Sequence, residues 1–287
     1  MKLKNVFPCI GLAICLLFSG CKGSGEPGNR GTELTFKDGD KIAEITIEGY
    51  GTIKAKLFPD IAPNGVDNFI KLAEQGYYDG LKIHSVMKDA CIQGGSLNGD
   101  GTGGEAAIGT NGTFPIETSV NARNFYGALG YANENGENTT QFYIVNCKKQ
   151  TDLSKISSEK ALELAAGFAS DKEGLEETDP KYAQLTAQEN YYKNLAEMVS
   201  KATENVTEKY ATTGGYPLWD GGYTVFGQVF EGLDVLDRIS ESEVTMNNAG
   251  KLSRPIDDIV IESVKITEYV TPEPEPEEST STKKKKS

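Results

Sequence analysis

Residues 41–59, KIAEITIEGYGTIKAKLFP, alternate apolar and polar side chains on both sides of GYG. Successive side chains of a strand point to opposite faces, so a period of two buries one face and wets the other. Two such arms around a glycine turn make a β-hairpin. Further short strands follow along the chain. LKIHSVMKDACIQGG (81–95) holds two strand-like runs, and ALGYAN (128–133), QFYIVN (141–146) and YTVFGQVFEG (223–232) hold one each. IDDIVIESVKITEYV (256–270) closes with a clean alternation. Only two segments outside one central block change to helical spacing. APNGVDNFIKLAEQG puts Val66, Phe69, Ile70 and Ala73 on one stripe with Gly76 as the stop, and LDVLDRIS is a short amphipathic helix. Many short strands with two helices predict a mainly-β chain: a closed antiparallel barrel capped by two helices.

The exception is the block from about 151 to 213, which is poor in glycine and helical in period. Leu185, Tyr192, Leu195, Val199, Ala202, Val206 and Tyr210 fall on one continuous stripe. SSEKALELAAGF predicts a second helix capped by Ser157 or Ser158. The block reads as a helical hairpin inserted between two barrel strands. Insertions in surface connections cost little, so the barrel is expected to survive its removal, and the insertion is expected to serve a protein partner rather than the chemistry.

The ends differ in kind. MKLKN followed by VFPCIGLAICLLF and FSGC resembles a bacterial lipoprotein signal, with residues 1–20 removed and Cys21 lipidated. That implies a bacterial cell membrane location, lipid-anchored on the extracytoplasmic face. Residues 21–38 are rich in Gly, Pro, Ser and charge and read as a tether; 39–270 form the folded domain; 271–287, with PEPEPEE and KKKK, are expected to be disordered. The formal charge of −13 becomes −15 once Lys2 and Lys4 are cleaved away, which argues against nucleic acid as a partner. Cleavage also removes Cys9 and Cys15, leaving Cys91 and Cys147 as thiols, expected to be half-buried and unpaired. No zinc spacing occurs and no cofactor or metal is implied.

Five stretches in order carry a resemblance to one family: GTIKAKLFPDIAPNGVDNFIKLAEQGYYDGL, IHSVM, IQGGSLNGDGTGG, ALGYANENGENTTQFYIV and DGGYTVFGQVFEGLDVLDRI. Together they resemble the cyclophilin peptidyl-prolyl isomerases from about Gly49 to Tyr269, interrupted by the insertion. The resemblance implies an eight-stranded barrel that isomerises Xaa-Pro bonds without a cofactor, its clients being Xaa-Pro segments of exported proteins. It implies that Met87, Cys91, Tyr143 and Leu218 form or border a proline cup and that Gln93, Asn133 and Gln141 anchor the peptide beside Ala132. Trp219 and Tyr223 fall at the rim.

Tyr143 stands where members commonly carry phenylalanine and Leu218 where they carry tryptophan or phenylalanine, and two further departures touch the chemical step itself. Members usually read FHRVI and FMIQGG where this chain reads IHSVM and ACIQGG. Ser85 thus stands in place of the catalytic arginine that donates to the prolyl nitrogen, and Ala90 in place of a phenylalanine that packs the ring. Serine is short and uncharged and cannot reproduce a charge-assisted, multi-donor contact. Lys82 and Lys88 differ from Ser85 by odd numbers of positions, so a regular strand turns them to the opposite face. His84 borders the cleft but has no paired carboxylate or nucleophile, and reads as structural. The run GGSLNGDGTGG lacks the Lys-Ser/Thr ending of a phosphate loop and reads as a loop wrapping beside the cleft. Three functions follow: a slowed isomerase, a non-catalytic proline-peptide module, or a scaffold that works through the insertion.

Overall fold

A computed structural model describes residues 34–133 and 136–272. The lipoprotein signal, Cys21, the first part of the tether and the tail from 273 lie outside the described residues.

The GYG hairpin forms as its alternation dictates, with β1 at Lys41–Ile47 and β2 at Gly51–Leu57. The first helix, α1, spans Pro63–Glu74 and buries Val66, Phe69, Leu72 and Ala73, while Ile70 is half-buried. Pro63 opens it, but Ala62 offers no capping side chain. The carboxylate of Glu117, from a distant loop, accepts instead from the N–H groups of Asn64 and Gly65 at 3.2 and 2.8 Å. A negative group there satisfies orphan donors and suits the helix dipole. The next strands are short: β3 Ser85–Met87, β4 Cys91–Gly94, β5 Phe114–Pro115, β6 Ala128–Tyr131, β7 Glu137–Asn138 and β8 Phe142–Val145.

Three helices follow, α2 Ser158–Asp171, α3 Pro180–Ser200 and α4 Glu204–Thr212. Then come β9 Val225–Glu231, α5 Leu233–Ser240, β10 Val244–Met246, β11 Leu252–Pro255 and β12 Ile261–Glu268.

Eight strands form one antiparallel sheet in the order β12-β1-β2-β9-β6-β8-β4-β3. Its inner face buries Ile45, Ile53, Phe142 and Phe226 against Phe69 of α1 and Leu236 of α5. The mainly-β prediction with two capping helices therefore stands, but the closed barrel is corrected. β3 and β12 form no ladder with each other. The sheet curls until main chain at 80–83 bonds to 259–261, with Ile83 N donating to Ile259 O and Gly80 N to Ile261 O, both at 2.8 Å. The physical reason is length: a three-residue β3 leaves the ladder before it can run alongside β12.

The insertion is also more than a hairpin. α2 and α3 pack antiparallel around Ala161, Ala165, Tyr192 and Leu195. The predicted single stripe breaks after Ser200, where Thr203 turns out of the helix and its hydroxyl caps α4 at Val206 N. Ser157, not Ser158, caps α2, accepting from Lys160 N at 3.1 Å. α4 buries Tyr210 against Phe125, just ahead of β6, in a cluster with Leu153 and Val206 that is separate from the core on the sheet's inner face, so part of the insertion packs directly on the main domain. Chain re-entry requires glycine. Gly215 has φ +141°, and a Cβ there lies 2.5 Å from the carbonyl oxygen of Asn124.

Candidate active site

The register of β3, β4, β8 and β6 sets Ser85 opposite Gln93, Gln93 opposite Tyr143, and Tyr143 opposite Gly130. Directly paired residues project to the same face, so three side chains of scattered sequence position form one row. A parallel row sets Met87 opposite Cys91 and Cys91 opposite Val145. Gly130 ends the first row without a side chain because the Tyr143 ring fills that place. A Cβ on Gly130 would lie 2.4 Å from Cζ of Tyr143.

A cavity of about 670 Å³ opens over the rows, within the size range of ligand clefts. His84, Ser85 and Met87 line it from the β3 side, with Gln93 and Tyr143 beneath. Ala132, Asn133 and Gln141 line a second side, and Trp219 and Tyr223 a third. The Trp219 and Tyr223 rings stand 5.5 and 5.8 Å from that of Tyr143 at steep angles, edge to face, which suits aromatic quadrupoles. Three residues expected at the cleft do not line it. Cys91 is fully buried in the cluster with Tyr143 and Val145 beneath the cavity, Ala90 packs half-buried against that cluster, and Leu218 is 42% exposed. Leu218 falls on a tight helical turn, Pro217–Trp219, which turns the neighbouring indole inward instead.

Polar side chains are held in place by the surrounding loops. Gln141 Nε2 donates to Gly101 O at 3.1 Å, which ties the glycine loop to the cleft, and Asn133 Nδ2 donates to Gly222 O at 3.2 Å. Inside the glycine loop, the Ser96 hydroxyl donates to Thr102 O at 2.7 Å and accepts from Gly101 N at 3.1 Å. Tyr143 bears a hydroxyl that a phenylalanine would lack. Asn124 Oδ1 accepts it at 2.5 Å, so this buried polar atom is satisfied within the protein.

Asn124 leads into a buried network. Its N and Nδ2 both donate to Asp220 Oδ1, at 2.8 and 3.1 Å, and Arg123 Nη1 donates to Asp220 Oδ2 at 3.2 Å. The Tyr210 hydroxyl completes the set, 2.9 and 2.8 Å from the two carboxylate oxygens. Burial pushes the Asp220 carboxyl up, against the opposing pull of Arg123, Asn124 and Tyr210.

His84 is buried with Nδ1 unpartnered among the described residues. Burial lowers its pKa to about 4, with Asp100 pulling the other way. It is therefore neutral at pH 7. An unfolded histidine takes up a proton near 6.5, so below that pH the unfolded chain binds the extra proton and folding loses stability. Acidification from pH 7 to 5 is expected to cost about 2 kcal/mol through this residue. In urea unfolding, the stability gap between wild type and His84→Gln should narrow by that amount as pH falls; parallel pH curves would refute it. Both thiols are free and fully buried rather than half-buried, and burial pushes each upward, leaving them inert.

Sequence reasoning missed one side of the cleft. Asn247, Lys251 and Arg254, from the β10–β11 hairpin, line the same cavity. VTMNNAGKLSRP (244–255) carries the signal, two short runs around NNAG, but each run is too brief to show a clear period.

Known proteins resemble this chain in sequence. The description "Cyclophilin type peptidyl-prolyl cis-trans isomerase/CLD" matches residues 42–161 and 166–266. A "Putative peptidyl-prolyl cis-trans isomerase" of Staphylococcus aureus (strain COL) is 35% identical over 222 residues, which is 76% of this chain and 88% of that protein. One of the same description from Staphylococcus haemolyticus (strain JCSC1435) is 35% identical over 230 residues, 79% and 91% of the two chains. The crystal structure of a Cryptosporidium parvum cyclophilin type peptidyl-prolyl cis-trans isomerase aligns with a TM-score of 0.49 at 20% identity, over 82% of this chain and 99% of the other. With the family pattern spanning both ends of the sheet and every wall of the cleft, the chain belongs to the cyclophilin-type peptidyl-prolyl cis-trans isomerases (EC 5.2.1.8).

Proposed function

We propose that this protein isomerises Xaa-Pro bonds of exported proteins at the extracytoplasmic face of a bacterial membrane, held there by a lipid on Cys21, and more slowly than arginine-bearing relatives. The observation that carries the reading is the gathering of Gln93, Asn133 and Gln141 with the Tyr143–Trp219–Tyr223 aromatic cup around one cavity.

The chemistry needs no covalent intermediate. Amide resonance sets a barrier of about 18–20 kcal/mol to rotation. At the top of that barrier resonance is lost and the prolyl nitrogen regains a basic lone pair. An apolar cup that grips the pyrrolidine ring, with amide side chains that hold the flanking backbone, lets the bond twist between fixed ends. Groups that fit the twisted form better than either planar form lower the barrier. Tyr143, Met87, Trp219 and Tyr223 supply the cup, and Gln93, Asn133 and Gln141 the anchors. Ser85, buried in the wall, offers one short neutral donor where the family carries a cation.

The experiment is exchange of an Xaa-Pro peptide followed by NMR, with wild type and Ser85→Arg. Wild type should accelerate exchange, and Ser85→Arg should raise kcat/KM about tenfold while peptide affinity changes little. An equal gain in rate and affinity would assign residue 85 to uniform binding. The anchor is read in the same preparation: wild type should pellet with membranes and Cys21→Ser should not.

Ser85 itself favours a second reading, a module that binds proline segments without turning them over. Saturable peptide binding with exchange no faster than the spontaneous rate would select it.

A further inference from the structure

We propose that Arg254 is the cationic hydrogen-bond donor of this cleft, reaching the prolyl nitrogen from β11 because no side chain on β3 can. The inference rests on the isomerase reading above.

Charge distribution around the cavity makes the case. Lys82 and Lys88, the cations nearest Ser85 in sequence, are engaged elsewhere, with Asp258 at 2.7 Å and Glu241 at 2.9 Å. Arg123 is buried against Asp220. Lys251 and Arg254 are the basic side chains that line the cavity among the described residues, and both come from the β10–β11 hairpin. β11 lies against β3, the strand that carries Ser85. Ser85 and Arg254 line the same cavity from these adjoining strands.

The hairpin is built to hold that strand. Asn247 Oδ1 accepts from the N–H groups of Ala249 and Lys251, both at 2.9 Å, and Asn247 Nδ2 donates to the Ser253 hydroxyl at 3.2 Å. Along β11, Ser253 and Pro255 are buried while Leu252 and Arg254 are exposed. The guanidinium has no hydrogen-bond or ion-pair partner among the described residues. Asp100, the carboxylate lining the cavity, is already occupied by the Thr102 N–H at 2.9 Å and hydroxyl at 2.6 Å. Arg254 is thus a free, multi-donor cation at the edge of a site whose reaction creates a lone pair.

Arginine suits the task better than Lys251, because its planar fork offers five N–H donors and stays charged at any working pH. During rotation one N–H points at the prolyl nitrogen as resonance is lost. No proton is transferred, and the contact disappears when the amide flattens again. An unpinned side chain must be ordered at that moment and loses rotamer freedom in doing so, which makes it a weaker substitute than an arginine fixed in the wall. Arg254 and the reduced rate are therefore compatible.

The test is a cycle of four full-length chains in the peptide exchange assay: wild type, Arg254→Gln, Ser85→Arg and the double variant. Arg254→Gln should lower kcat/KM about tenfold to a hundredfold, somewhat less than the loss of a fixed oxyanion-hole donor, with peptide Kd changed less than about twofold and Tm unchanged. Ser85→Arg should give a larger gain in the Arg254→Gln background than in wild type, since the new arginine then replaces a donor instead of duplicating one. Arg254→Gln turning over at the wild-type rate, or equal Ser85→Arg gains in both backgrounds, would overturn the assignment. A wild type without exchange activity would instead overturn the isomerase reading, and the proposal with it.

Discussion

Asp220→Ala is expected to lose about 3–5 kcal/mol of stability, the cost of stranding a buried charge by removing its partner. Arg123 and Asp220 side chains are each 2% exposed, so water cannot take over from the lost carboxylate. Arg123 would keep only its Nε contact to Val120 O, and Asn124 N and the Tyr210 hydroxyl would lose their acceptor. For a folded domain of this size the loss should lower Tm by about 10 °C or more. The effect should reach the cleft as well, because Asn124, held by Asp220, accepts the Tyr143 hydroxyl beneath the cup. Thermal unfolding followed by circular dichroism measures the first effect. Peptide titration well below Tm measures the second. A Tm within a degree of wild type would mean that the pair is solvated in solution.

Removal of residues 152–212 is expected to abolish cooperative folding, contrary to the expectation that a surface insertion is dispensable. The cause is concentrated in one residue. Tyr210 is fully buried, its ring centroid stands 4.6 Å from that of Phe125, and its hydroxyl bonds Asp220. Tyr210→Ala alone should cost about 3–5 kcal/mol through the cavity it leaves. Tyr210→Phe should cost about 1–2 kcal/mol, the loss of a buried hydrogen bond. α3 adds support on the cleft side, where Asn194 Nδ2 donates to Gly221 O at 2.9 Å next to the Trp219 turn. Leu162→Ser, on the 52% exposed face of α2, should change nothing measurable. Urea unfolding of the three point variants separates these cases. A cooperative, native-like transition for the deleted chain would place the insertion outside the core.

The insertion thus acts as a buttress. It reaches the cup through Tyr210, Asp220, Asn124 and Tyr143 in succession, each contact being a buried hydrogen bond. Variants along that chain are expected to couple rather than add, because each removes a partner that the next one needs.

Much of the fold was legible in the chain itself. Period-two alternation marked β1, β2 and β12, helical spacing marked α1 and α5, and the Ser157–Ser158 pair announced the start of α2. Such signals are local: one buried face imposes its repeat on consecutive residues, whatever it packs against. The family motifs carried Gln93, Asn133, Gln141, Tyr143, Trp219 and Tyr223 to one cavity in the same way. What tertiary structure decided are meetings between residues far apart in sequence. Arg123 finds Asp220, Phe125 finds Tyr210, and Arg254 comes to the cleft wall that holds Ser85, because the sheet curls and the β10–β11 hairpin crosses beside β3. Alternation states which face of a strand is buried. It carries no information on which distant strand will cover that face, so the basic side chains beside the cleft and the packing of the insertion became visible only once the chain was folded.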